Sequence, residues 1–172
     1  MRAMEYALKI ASEKAPGYII IFAAWPNYTT DWSEATQAST SLSSALDKFV
    51  RTGAEVIVLG PAPKWKPELP IVAYNAKAKL GHVPLREKSV LPVVGAIDQQ
   101  MKIIAQRKGA KFFSVNDLLC NNDGCLIHPP KRPDELMTWD YGHLTTAGAE
   151  YVSQHLASEL IIPRSKSMAT GN

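Results

Sequence analysis

Apolar and polar positions alternate along the chain between helix-like and strand-like spacing. A first helix is predicted before Pro16-Gly17 because apolar residues recur on one helical face, namely Met4, Ala7, Leu8 and Ala11. The run from Tyr18 to Ala24 is short, apolar and rich in β-branched residues. This pattern predicts a parallel strand that is buried on both faces.

The rest of the chain continues the alternation. Further helices are predicted at about Glu34 to Arg51, Ser89 to Arg107 and Thr146 to Leu160. Further strands are predicted at Glu55 to Leu59 and Lys111 to Val115. The segment between residues 60 and 87 carries five prolines and little periodicity, which predicts a long surface loop of the kind that often shapes a pocket.

Helices that alternate with buried strands predict an α/β fold, a three-layer sandwich with a mainly parallel sheet. Residues 1–162 are predicted to form one domain, and residues 163–172 a flexible tail. Parallel sheets bind ligands at the carboxyl ends of their strands. We therefore expect chemistry in the loops that follow Ala24-Trp25, Leu59-Gly60 and Val115-Asn116.

Charge and composition exclude several classes of protein. The net charge of +3 comes from 19 basic and 16 acidic residues spread along the chain, which does not indicate a nucleic-acid partner. The longest apolar run, Tyr18 to Ala24, is much shorter than the roughly 18 residues of a membrane helix. Charged residues within the first fifteen positions rule out the apolar centre of a secretory signal there.

The two cysteines, Cys120 and Cys125, flank a turn-forming run of Asn, Asp and Gly that can bring both sulfur atoms together. This spacing predicts a small disulfide hairpin and an oxidising compartment. Two reduced thiols in a cytosolic protein are the alternative. A metal site is disfavoured because no second Cys or His pair stands at suitable spacing, and no cofactor is indicated.

The segment from Trp139 to Ala149 is the most informative for chemistry. It places the carboxylate of Asp140 three residues before the imidazole of His143, in a loop that runs directly into a helix capped by Thr145 or Thr146. In nucleophilic ester chemistry the imidazole takes a proton from a serine, while the carboxylate fixes its tautomer. The alternative is a loop hydrogen bond that only caps the last helix.

The pattern Asp-x-x-His-Leu-Thr-x-x-Gly-Ala before a terminal helix resembles the last sequence block of SGNH hydrolases. Other features resemble the extracytoplasmic SGNH domains of bacterial envelope acyltransferases: the Ala-Ala-Trp that ends the first strand, the Gly-Pro-Ala-Pro after the second, and the short Cys-Cys loop. The likeness runs from about Tyr18 to Leu156. It implies an SGNH or flavodoxin-like sheet, Asp140 and His143 as triad acid and base, and a structural disulfide between Cys120 and Cys125.

The family's first strand, which ends in Gly-Asp-Ser, has no counterpart in this sequence. Ser12 lies in a predicted helix, Ser33 in a loop and Ser114 inside a predicted strand, so none is placed as a nucleophile. We expect the sheet to lack the family's first strand, which implies a fragment of a longer domain or a diverged, silent relative. The family's oxyanion groups are also poorly matched, and Trp25 and Asn27, at the end of the first predicted strand, are the candidates for an oxyanion or pocket role.

The resemblance implies transfer of an acyl group, above all acetyl, to a cell-envelope polysaccharide such as lipopolysaccharide, or ester hydrolysis. The partners would be an acyl donor, a polysaccharide acceptor and an upstream membrane acyltransferase region, at the periplasmic or extracytoplasmic face of the inner membrane. We expect little or no activity from this chain alone. The alternatives are a carbohydrate-binding or scaffold module of the same fold, and a hydrolase with an unrecognised serine.

Overall fold

The structure, a computed structural model, describes residues 2–33 and 36–161. The predicted tail at 163–172 lies outside the described residues. The described α-helices are α1 (Arg2–Lys14), α2 (Gln37–Val50), α3 (Leu69–Leu80), α4 (Val93–Arg107), α5 (Val115–Leu119) and α6 (Thr146–Leu156). The described strands are β1 (Tyr18–Ile21), β2 (Glu55–Leu59), β3 (Arg86–Glu87), β4 (Lys111–Phe113), β5 (Cys120–Asn121) and β6 (Gly124–Leu126).

The main sheet is parallel and has the strand order β1-β2-β4. Its central strand β2 sends alternate side chains into two apolar clusters, since Ile57 and Leu59 belong to one and Val56 and Val58 to the other. Helices α3, α5 and α6 contribute to the first cluster, and α1, α2 and α4 to the second. The predicted three-layer α/β architecture with a parallel sheet is confirmed.

The first strand is shorter and more exposed than the sequence predicts. It ends at Ile21 rather than Ala24, and its side chains alternate between exposed and half-buried. Tyr18, Ile20 and Phe22 point away from the α2/α4 cluster and are between 41% and 49% exposed. The prediction of burial on both faces was therefore wrong, because described residues pack against only one face of β1. The strand is also an edge of the described sheet.

Two predicted boundaries also need correction. The stretch predicted as a loop between residues 60 and 87 contains helix α3, which the apolar pattern missed because only Leu69, Val72 and Ala73 of its residues are buried. The sequence pattern predicts Ser114 inside a strand, but Ser114 is the N-cap of α5, where its hydroxyl accepts the amide hydrogen of Asp117. The predicted strand ends at Phe113 because this cap starts a helix.

A small antiparallel sheet, not predicted from the sequence, has the order β3-β6-β5. The predicted disulfide between Cys120 and Cys125 is confirmed and joins β5 to β6. Arg86 on β3 donates from Nη1 to the carbonyl oxygens of Leu119 and Gly124, at 2.8 and 2.9 Å. One guanidinium group, a strong hydrogen-bond donor, thus binds the carbonyl oxygen that precedes each of the two cysteines.

Candidate active site

Asp140 and His143 lie in direct contact in the loop before α6. One carboxylate oxygen of Asp140 is 2.6 Å from Nδ1 of His143. The other accepts the backbone amide hydrogens of Gly142 and His143, each at 2.8 Å. The carboxylate therefore holds both the imidazole ring and the turn that carries it. With Nδ1 facing a carboxylate, the tautomer with hydrogen on Nδ1 is favoured, and Nε2 is left to accept a proton.

The loop is fixed by its neighbours on both sides. Trp139 and His143 are joined by a backbone hydrogen bond, and the Asp140 carbonyl accepts from the Thr138 hydroxyl. Downstream, the Thr145 side chain caps α6 by accepting the Gly148 amide hydrogen at 3.0 Å. These contacts give the Leu-Thr-x-x-Gly part of the motif a structural reason, since it starts the helix that anchors the His143 loop.

Electrostatics favour the ionised form of Asp140. Partial burial pushes the pKa of this carboxyl upward, but the hydrogen bonds from the His143 and Gly142 amides and from the His143 ring outweigh that effect. The pKa of Asp140 therefore lies below its ordinary value. A carboxylate that stays charged can orient the imidazole and stabilise an imidazolium.

His143 lies at the edge of a cavity of about 610 Å³, with 53% of its side chain exposed. The cavity forms where the loops after β1 and β2 meet the His143 loop, at the carboxyl ends of parallel strands as expected. Most of its lining is apolar: Phe22, Ala23, Ala24, Pro26, Pro61, Ala62, Trp139, Gly142, Leu144 and Ala149. Lys64, Tyr141 and His143 supply polar groups to it.

Lys64 places its ammonium group at this cavity. Its Nζ donates to Oδ1 of Asn27 at 2.7 Å and stands 5.0 Å from the centre of the Tyr141 ring. The Tyr141 ring is in turn 5.5 Å from the His143 ring, centre to centre. The structure thus brings Asn27 to the rim of the cavity through Lys64, with its amide oxygen already engaged.

Trp25 lies apart from this cavity. It is buried in the α2/α4 cluster, and its indole N–H donates to the Leu59 carbonyl at 2.7 Å. Its ring meets Trp32 edge to face, with 5.6 Å between centres. The side chain of Trp25 lines a second cavity, next to α2, rather than the one that contains His143.

Among the residues described, no serine lines the cavity beside His143. Ser12 is in α1 and bonds to the Lys9 carbonyl. Ser114 sits at a strand-to-helix junction, but its hydroxyl donates to Asp98 at 2.7 Å and it opens onto another surface. Nε2 of His143 has no hydrogen-bond partner within residues 2–33 and 36–161.

The residues that the sequence reasoning missed are Phe22, Lys64, Trp139 and Tyr141. The signal for Lys64 was its place in the Gly-Pro-Ala-Pro loop after β2, a strand end where chemistry was expected. Trp139 and Tyr141 flank Asp140 in the sequence, and the sequence analysis assigns them no role beyond forming the loop. Within the described part of the chain, no three or more His, Cys, Asp or Glu side chains are grouped to hold a metal ion.

A family model described as the SGNH domain fused to AT3 domains matches residues 2–158. The periplasmic domain of a lipopolysaccharide acetyltransferase from Salmonella ser. Paratyphi A has the same fold, with a TM-score of 0.79 and 21% sequence identity. The match covers 92% of this chain but only 62% of that structure. No curated protein sequence is significantly similar to the chain. None of the described helices has both the length and the apolarity to cross a membrane.

Proposed function

The chain belongs to the family of SGNH domains that occur fused to AT3 domains, and from this membership we propose that it works in O-acyl transfer to a cell-envelope polysaccharide. Acetyl is the proposed acyl group, and ester hydrolysis is the competing outcome when water replaces the acceptor. The proposed location is the periplasmic or extracytoplasmic face of a membrane, next to a membrane acyltransferase region. The observation that carries the proposal is the 2.6 Å contact between Asp140 and His143 beside an open cavity.

In the proposed mechanism, Nε2 of His143 takes the proton from a serine hydroxyl as the serine oxygen attacks the acyl carbonyl carbon. The bond to the leaving oxygen breaks, and His143 returns the proton to that oxygen. A sugar hydroxyl then gives its proton to His143 as its oxygen attacks the carbonyl carbon of the acyl-serine. The bond to the serine oxygen breaks, and His143 returns the proton to that oxygen, which regenerates the serine. Asp140 stays ionised throughout and stabilises the imidazolium. The backbone rigidity of the loop keeps both groups aligned.

We propose that the serine is not one of the described serines. Two observations support this: the lining of the His143 cavity contains none, and β1, whose continuation reaches that cavity at Phe22, is an edge strand of the described sheet. A strand added along β1 would place its carboxyl end next to His143, since parallel strands end at the same edge. Such a strand, ending in Gly-Asp-Ser, would have to come from a segment outside this sequence.

An ester-turnover assay tests this proposal. The 172-residue chain is compared with a version extended upstream in its own reading frame, using an activated acetyl ester. Turnover should be confined to the extended version and should fall by roughly 100-fold or more in His143→Ala, as expected of a general base. His82→Ala, an exposed histidine away from the cavity, is the matched control. Serine-dependent turnover by the short chain that requires His143 would contradict the proposal.

A carbohydrate-binding module without catalysis is the second candidate. The observation that favours it is Trp139, which is 64% exposed next to a cavity without a described serine. An exposed indole offers a flat apolar face of the kind that packs against sugar rings. The absence of an in-frame Gly-Asp-Ser upstream, together with glycan binding that survives His143→Ala, would favour this module over the enzyme.

A further inference from the structure

Lys64 is the one Lys, Arg, Asp or Glu side chain among the described residues that line the His143 cavity. No described carboxylate lies within ion-pair distance of its ammonium group. Its two close partners are neutral, the Asn27 amide oxygen and the Tyr141 ring. The cavity lining therefore carries one positive charge on walls that are mostly apolar, while the ionised Asp140 contacts His143 but is not one of the lining residues.

The position of Lys64 is set by the backbone on both sides of it. Its carbonyl oxygen accepts the Leu91 amide hydrogen at 2.8 Å, and the next residue, Trp65, donates its amide hydrogen to the Tyr141 carbonyl at 2.7 Å. Pro61 and Pro63 restrict the preceding loop. The lysine is half-buried, so its stem is packed while its charged end reaches the cavity. This arrangement holds a cation at a fixed place beside the His143 loop.

A row of rings connects Lys64 to the exposed indole of Trp139. The Trp139 and His143 ring centres are 5.9 Å apart, His143 and Tyr141 are 5.5 Å apart, and Lys64 stands over Tyr141. An apolar platform, a proton-accepting nitrogen and a cation thus follow one another along one cavity wall. A sugar ring has an apolar C–H face, hydroxyl groups and, in acidic sugars, an anionic group, which are complementary to these three features.

We propose that this cavity recognises an anionic sugar as acceptor, with the carboxylate or phosphate of that sugar bound by Lys64, its ring on Trp139 and one hydroxyl directed at His143. That the bound sugar is the acceptor of an acyl group rests on the proposed function. The preference for binding an anionic sugar requires no catalysis. A lysine ammonium group pairs with a carboxylate or a phosphate as a point charge, so sugars that carry either anion would be recognised by the same interaction.

Binding measurements on the 172-residue chain test the preference. Three probes are titrated while the His143 ring is followed by NMR: a glucuronate-containing oligosaccharide, a neutral glucose oligosaccharide of equal length, and a sugar phosphate. At low salt at least one anionic probe should bind about 10-fold more tightly than the neutral one, and the advantage should shrink as salt is raised. The probe that binds better identifies the anion as carboxylate or phosphate.

Lys64→Gln should reduce binding of the anionic probe to the level of the neutral one. Lys131→Gln, an exposed lysine at a different surface cleft, is the matched control and should keep the preference. Trp139→Ala should weaken binding of the anionic and the neutral probes alike. Equal binding of neutral and anionic probes, no binding of any probe, or a preference that survives Lys64→Gln would overturn the inference.

The outcomes separate this inference from the proposed function. If the Lys64-dependent preference is found but the extended chain shows no acyl chemistry, the proposed function alone fails. If the extended chain acylates neutral sugars as well as acidic ones and Lys64→Gln changes neither, the substrate inference alone fails. In an active extended chain, Lys64→Gln should raise the acceptor KM about 10-fold for an anionic acceptor and leave kcat nearly unchanged, because it removes binding rather than proton transfer.

Discussion

The carbonyl oxygen of Met137 occupies the position that a β-carbon on Gly148 would need. Gly148 is the third residue of α6, and its amide hydrogen is bound by the capping hydroxyl of Thr145. The close approach fixes the start of α6 against the strand-like segment before Trp139. Because the His143 loop lies between these two segments, this glycine helps to set the geometry of the candidate site.

Gly148→Ala should therefore destabilise the protein by roughly 2–4 kcal/mol, since a backbone oxygen cannot move aside without displacing the loop. Gly95→Ala is a matched control, because Gly95 is also the third residue of its helix, α4, and a β-carbon there would meet only the Asn116 side-chain nitrogen, at 4.0 Å. That substitution should be neutral or stabilise by up to about 1 kcal/mol. Urea unfolding measures both. Equal effects of the two substitutions would contradict the close approach.

Trp25→Phe should cost roughly 1–3 kcal/mol because it leaves the buried Leu59 carbonyl without its donor. The exposed Trp139 is the control, and Trp139→Phe should change the free energy of unfolding by less than about 0.5 kcal/mol. Thermal unfolding at one pH measures both variants. A stability loss for Trp139→Phe as large as that for Trp25→Phe would contradict the assignment of Trp25 to the core.

Asp98 should give the protein an unusual pH dependence. This carboxyl is fully buried, and its Oδ1 has no hydrogen-bond partner among the described residues. Burial raises the pKa of Asp98 to about 6, against the lowering effect of the hydrogen bond from Ser114. Asp117 nearby adds to the rise, and Lys102 opposes it.

Because its folded pKa lies above the unfolded value of 3.8, folding is favoured by the protonated form. The contribution of Asp98 to stability is present below about pH 4 and should fall by on the order of 3 kcal/mol as pH rises through 6. Asp98→Asn should remove this fall, and Asp134→Asn, at an exposed carboxylate, should keep it. Denaturant unfolding between pH 4 and 7 measures the difference. Parallel curves for wild type and Asp98→Asn would show that the group is not buried as described.

The disulfide should stabilise the fold modestly. Closing the short loop between Cys120 and Cys125 is worth about 2 kcal/mol in the chain-entropy picture. Replacing both cysteines by alanine should lower the free energy of unfolding by that amount and abolish the effect of a reducing agent. The matched measurement is the free energy of unfolding of the wild type under reducing conditions, which should approach that of the double variant. Insensitivity of the wild type to reduction would contradict a structural role for this bond.

The sequence predicted best those contacts that form between residues close together in the chain. Asp140 and His143 are three positions apart in one loop and the two cysteines are five apart, so residue spacing indicated both contacts, with a capping hydrogen bond and reduced thiols as the alternatives. Lys64 was missed because its approach to Tyr141 depends on how the loop after β2 packs against a segment more than seventy residues away. Helix α3 was missed because a helix that buries so few residues leaves little periodicity in the sequence.

The exposure of β1 shows another limit of pattern reading. Apolar residues at Tyr18, Ile20 and Phe22 are typical of a strand that is buried on both faces. The pattern does not show whether another element of the fold packs on the face that these residues form. The end of the strand before Ser114 was mispredicted for a different reason. A serine inside an apolar run can continue a strand or cap a helix, and here the buried Asp98 beside it favours the cap.

We propose that Asp140 holds the His143 ring with hydrogen on Nδ1, so that Nε2 is free to accept a proton. NMR correlation of the His143 ring nitrogens with its ring hydrogens, at about pH 8 where an imidazole is ordinarily neutral, reads the tautomer directly. The account predicts a protonated Nδ1 and an unprotonated Nε2, and a loss of this preference in Asp140→Ala. A ring that carries its hydrogen on Nε2 in the wild type, or one whose tautomer is unchanged in Asp140→Ala, would contradict the account.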